Sequence, residues 1–176
     1  MKHILVPTDF SIKSLNVINN VIAKYGNQPL KITLLHLLSM PASITELLLL
    51  RRSKIRYEDK VSPEFYDACH VLQNRYADKV SVMDIRIEFG DSIKFMNTYL
   101  EANEVDKVVM AIDIRWQHCF KESIDLLSLL TKTKAEIDYV TAQAEEKNHM
   151  DVSVISMNSL KNVKQLKEEL SYATEE

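Results

Sequence analysis

Glycine is the residue this chain most lacks. Two occur among 176 residues, Gly26 and Gly90, and none follows Gly90. A backbone cradle for phosphate depends on glycines that let N–H groups approach an anion without a Cβ in the way. The second half of the chain has no residues for one. Cysteine is equally scarce: Cys69 and Cys119 stand alone, without CxxC spacing, which excludes a disulfide framework and suits a reduced cytoplasm. No apolar run approaches the ~20 residues of a membrane helix. The opening MKHILVPTDF, broken by Pro7 and Asp9, is not patterned as a signal peptide. Net basicity is also missing. Residues 1–141 hold eighteen acids and eighteen Lys or Arg, and residues 142–176 hold seven acids and four Lys. Neither nucleic acid nor a membrane surface is therefore an expected partner.

What is present is a core-forming composition, 46% hydrophobic and 27% charged, arranged in alternating patterns. His3–Val6, Lys31–Leu38, Val80–Phe89, Val105–Ile112 and Glu136–Val140 read as strands. Between them, helices are predicted from Ile12 to Ile22, closed by a left-handed cap at Gly26; from Ser62-Pro63-Glu64 through Phe65, Ala68, Cys69, Leu72 and Tyr76; and behind Asp91 and Ser92, burying Ile93, Met96, Leu100 and Ala102. A fourth helix is predicted from about Phe120 to Leu130. Crossovers long enough for a helix imply an α/β fold: a doubly wound, five-stranded parallel sheet with helices on both faces. Ile44–Leu50, followed by Arg51, Arg52, Lys54 and Arg56, reads as a short helix or an ordered insertion with a solvated charged face. In the tail, DVSVIS alternates like a strand, and Leu160, Val163, Leu166 and Leu170 form one apolar stripe. One strand and one helix are too little for a core. The expected organisation is a domain over 1–141 and an extension over 142–176 that docks on the body or on a partner.

Three ordered blocks carry a resemblance. KHILVPTDFS, KITLLHLL and DKVVMAID resemble the first, second and fourth strands of universal stress proteins, and the likeness spans residues 2–141. It implies an adenine-nucleotide site at the carboxyl ends of the first and fourth strands. Asp9 would face the adenosine, Pro7 and Thr8 would shape the wall, and Leu37 would line the base pocket beside Met110. The family's phosphate loop, Gly-x2-Gly-x9-Gly-(Ser/Thr), is matched by Ala111, Ile114 and Glu122 in place of its glycines, and only Ser123 keeps the final hydroxyl. Glu122 at a helix N-terminus would take the electrostatic place of phosphate, with Arg115 or Lys121 as partial compensation. The resemblance also implies a homodimer paired through the fifth strand. Here KAEIDYV places Glu136 and Asp138 on a face that a covering helix would not bury, so the tail is expected to contribute to self-association.

Other chemistries find less support. His118-Cys119 are adjacent loop residues with no second ligand cluster, so no metal site is expected. His36 ends a strand and reads as a hydrogen-bonded packing residue. A receiver domain with Asp113 as phosphoacceptor would need a close acidic pair on the first strand and a Lys-Pro after the fifth, and neither is there. A pyrophosphatase-type relative would need Ser-Gly-Gly after the first strand. The expectation is a cytoplasmic binding or regulatory protein, without catalysis or a bound cofactor and with an unidentified protein partner. The alternative is an ATP- or nucleotide-binding switch with slow hydrolysis.

Overall fold

The computed structural model describes residues 1–41, 43, 45, 48–49 and 57–142. The strands are β1 (Lys2–Pro7), β2 (Leu30–Leu38), β3 (Val80–Phe89), β4 (Lys107–Ala111) and β5 (Ile137–Val140). The helices are α1 (Asn16–Tyr25), entered through a 3-10 turn at Ile12–Leu15, then α2 (Pro63–Arg75), α3 (Ile93–Ala102) and α4 (Leu126–Leu130). All pairings are parallel, in the order β3-β2-β1-β4-β5. The doubly wound sheet expected from the strand pattern is therefore present. The strand order reverses between β1 and β4, so the ligand crevice of such a sheet falls at their carboxyl ends.

Period-two alternation divides the strands between two cores. Ile4, Val6, Ile32, Leu34 and Val109 face α1 and α2, whereas Leu5, Leu35, Leu37, Val108 and Met110 face α3 and α4. Phe65 of α2 is fully buried in the first core, where truncation to alanine would cost about 3–5 kcal/mol. Ser62 caps α2 by accepting from Phe65 N at 3.3 Å, with Pro63 in the first turn. Ser92 caps α3 through Phe95 N at 3.1 Å.

Several expectations need correction. Gly26 is not left-handed, with φ −72° and ψ 17°. It is required by space, because a Cβ there would lie 2.4 Å from the Ile22 carbonyl oxygen. Ile93 and Ala102 are exposed, and Phe95 and Tyr99 pack beside Met96 and Leu100 instead. The helix expected from Phe120 starts only at Leu126, since Asp125 supplies its cap by accepting from Ser128 N at 3.0 Å. The charges of β5 do not repel their surroundings. Lys107 Nζ lies 2.6 Å from Glu136 and 3.9 Å from Asp138, and Lys24 of α1 reaches Asp138 at 2.8 Å. A helix does lie over this face, and it brings the neutralising lysine. The 44–56 segment, apart from residues 45 and 48–49, and the DVSVIS strand and leucine stripe of the tail lie outside the described residues.

Candidate functional site

The turn after β1 is built from its own side chains. Pro7 ends the strand in register with Leu35, and Thr8 N donates to the Leu35 carbonyl at 2.9 Å. The buried Thr8 hydroxyl accepts from Phe10 N at 3.0 Å and shares a hydrogen bond with Ser14 Oγ, also at 3.0 Å. Asp9 Oδ1 accepts from Ser11 N at 3.0 Å, and Ser11 Oγ in turn accepts from Ser14 N at 3.2 Å. Between them Phe10 takes a positive φ of 59°, uncommon for a bulky residue. Its ring compensates, lying 5.0 Å from His36, 5.3 Å edge-on from Phe65 and 6.0 Å from Phe120.

The long segment after β4 lies over this turn and across the end of β2. Gln117 N donates to Asp9 Oδ2 at 3.1 Å. Ser39 N donates to the Glu122 carbonyl at 2.8 Å, Ile124 N donates to the Leu37 carbonyl at 3.2 Å, and Ser123 bridges antiparallel to Leu38. Phe120 fills the space beneath, with its ring 5.6 Å from His36 and 5.1 Å from Tyr57. Asp113 Oδ1 holds the far end by accepting from Ala142 N at 2.6 Å.

His36 stands at the centre, 4% exposed. Its Nδ1 lies 2.8 Å from the Thr8 carbonyl, which can only accept, so Nδ1 carries the proton. In the neutral ring Nε2 is then the lone pair. It accepts from Ser123 Oγ at 2.9 Å, and Ser123 Oγ itself accepts from Phe120 N at 3.1 Å. Cys119 Sγ lies 3.7 Å from the same Nε2 and 3.9 Å from Ser123 Oγ. Burial lowers the His36 pKa from 6.5, against the Thr8 hydrogen bond and the Asp9 charge, so the ring is neutral at neutral pH. Burial also pushes the Cys119 thiol up, partly offset by Ser123. Beside these groups a cleft of about 310 Å³ opens, lined among others by His36, Trp116, Gln117, His118 and Ser123. The indole N–H of Trp116 is buried with no partner among the described residues.

The residues singled out by family resemblance divide into two sets. Thr8 and Ser123 bond His36, Asp9 bonds Gln117 and Pro7 ends β1 beside them, and of these only Ser123 lines the cleft. Leu37 and Met110 are packed in the α3 core and Ala111 in the α1 core, also away from the cleft lining. Glu122 is not at a helix N-terminus, since the acid in that place is Asp125. The pairing that sequence reading missed is Cys119 with His36. Cys119 meets a histidine 83 residues away, not the adjacent His118, and no local spacing signals it. Among the described residues no group of three or more His, Cys, Asp or Glu is placed to hold a metal ion.

This architecture is a doubly wound α/β domain, with the segment following β4 lying across the end of β2. Among the solved structures that share the doubly wound fold are these two. The universal stress protein UspA from Lactobacillus plantarum is 17% identical with a TM-score of 0.51, over 79% of this chain and 97% of that one. The hypothetical protein PH0823 is 19% identical with a TM-score of 0.50, over 82% of this chain and 99% of its own. The chain therefore has the universal stress protein fold. No family model and no curated protein matches the sequence.

Proposed function

We propose that this chain is a divergent universal stress protein-like domain that acts by binding or regulation, without catalysis of its own and with nucleotide binding lost or impaired. The observation that carries the reading is the state of Asp9. The residue is 3% exposed, and its two carboxylate oxygens accept from the chain's own Ser11 and Gln117 amides. A nucleoside would have to displace the Gln117 contact and the segment behind it before reaching that carboxylate. The glycine-free loop adds to this, because side chains stand where an anion would need bare backbone amides.

We place the protein in the cytoplasm, a compartment that suits a chain with two free cysteines and no disulfide between them. No helix among the described residues is long and apolar enough to cross a membrane. The chain is proposed to form a homodimer to which the 142–176 extension contributes, with β5 as the edge strand among the described residues and its Tyr139 55% exposed, and to act on a further protein partner. Calorimetric titration with Mg-ATP and with AMP tests the ligand claim, at protein concentrations that would register a micromolar Kd. No saturable heat is expected. Stoichiometric binding of either nucleotide would transfer the chain to the alternative reading, a nucleotide-dependent switch.

A further inference from the structure

The geometry points to Cys119 as a covalent modification site that exchanges with low-molecular-weight disulfides, with His36 as its base. Three side chains from two distant parts of the chain form the site, and the reading goes beyond the binding role proposed above. His36 Nδ1–H is tied to the Thr8 carbonyl at 2.8 Å, which fixes the tautomer and leaves the Nε2 lone pair to the Ser123 hydroxyl at 2.9 Å. The Cys119 thiol is next to both, 3.7 Å from Nε2 and 3.9 Å from Ser123 Oγ, and able to take the hydroxyl's place on Nε2. A buried imidazole oriented by an acceptor, with a thiol 3.7 Å away, is the arrangement in which a protonated sulfur can be activated as its target arrives. Cys119 is solvent-exposed, and its partners His36 and Ser123 and its neighbour His118, but not Cys119 itself, line the cleft of about 310 Å³. Trp116 also lines that cleft.

Surrounding amides select the kind of electrophile. Attack on a thioester or ester would build a tetrahedral oxyanion, which needs N–H donors held ready for it. Here the amides of Gln117, Phe120, Ser123 and Ile124 are already donated within the protein. Exchange at sulfur develops no oxyanion and needs none of them. In the step, Cys119 Sγ attacks one sulfur of the disulfide and a new S–S bond forms while the old one breaks. The thiol proton passes to His36 Nε2 and on to the departing sulfur, which leaves as a free thiol. Cys119 is oxidised to the disulfide level and the departing half is reduced. Cys69, the chain's other cysteine, is buried in the α2 core with its thiol pushed up to about 12 by burial. It offers no resolving thiolate, so the mixed disulfide persists until an external thiol removes it.

The experiment is incubation of the full chain at neutral pH with glutathione disulfide, followed by intact mass and peptide mapping over time. One adduct is expected, on Cys119, absent in Cys119→Ser and unchanged in Cys69→Ser. His36→Gln is expected to slow it at least about tenfold, a threshold set below the ~10²–10⁴-fold that a positioned base typically contributes, with circular dichroism confirming the fold. Should that variant not fold, the parental protein supplies the comparison: Cys119 must react faster in the native state than in urea, where His36 no longer stands beside it. Absence of an adduct, an adduct on Cys69, a His36→Gln rate equal to the parent's, or slower reaction in the native state would each overturn the assignment. Nucleotide binding is read separately by calorimetry, so the two proposals fail independently.

Discussion

The segments that follow β1 and β4 meet at the same end of the sheet, yet they are held in opposite ways. The turn after β1 is tied by hydrogen bonds that span two to six residues, among Thr8, Asp9, Phe10, Ser11 and Ser14. The segment after β4 keeps some local bonds, such as Ser123 N to the Phe120 carbonyl, but its position depends on Asp9, His36, Leu37 and Ser39. The partners Asp9 and Gln117 are 108 residues apart, and His36 and Ser123 are 87 apart. One segment folds on itself and the other is laid against it. The lesson is that one end of a sheet can be covered without any dedicated lid, by a crossover segment laid on an acceptor that the neighbouring turn supplies.

The sharpest way to break this comparison is to remove the shared group. Asp9→Ala strips acceptors from both Ser11 N and Gln117 N. Hydrogen bonds to charged groups contribute about 1.5–3 kcal/mol each, so a loss of about 3 kcal/mol is expected in urea unfolding. A loss under about 1 kcal/mol would show that the segments are held independently.

Acid offers a second, smaller test. Burial lowers the folded-state pKa of both His3 and His36 below 6.5. Between those lowered values and 6.5 the unfolded chain binds more protons, so stability is full above 6.5 and falls as pH drops through that window. The slope is at most about 1.4 kcal/mol per pH unit for each histidine. His3 lies at the opposite end of β1, where it bonds Asn103 and Thr33. Urea midpoints near pH 7.5 and 5.5, in the parent and in His3→Gln, separate the two contributions. The dependence left in His3→Gln belongs to His36, and a flat profile there would mean that the ring's burial is not felt.

Smallest is Ser11→Ala, which removes only the cap on Ser14 N within the β1 turn. It should cost about 1 kcal/mol and lower Tm by about 2–8 °C. Sharpening the comparison requires that the Gln117–Asp9 contact survive, seen as an unchanged amide shift for Gln117. Movement of that signal would show that the first turn does not stand alone.

This same distinction governs what was legible beforehand. β3 reads over Val80–Phe89 from alternation alone, with Gly90 stopping it where a Cβ would strike the Phe95 ring. The start of α2 is spelled by Ser62 and Pro63. The turn after β1 is readable because Thr, Asp and Ser act on their own neighbours. Residues 113–124 have little of that local code, the Ser123 hydroxyl's bond to Phe120 N apart. Their apolar pattern suggests a helix from Phe120, but Phe120 is used by rings of three other segments and Glu122 and Ile124 by the backbone around the end of β2. Cys119 and His36 likewise form a pair only once the sheet exists.

The Asp9–Gln117 bond also has a meaning in time. β1 is made first in the chain but pairs with β4, whose residues follow about a hundred positions later, and closing so wide a loop is the slow part of assembling a parallel sheet. Asp9 is therefore an acceptor without its second donor through most of folding. The end of the sheet stays open until the central pair of strands has joined.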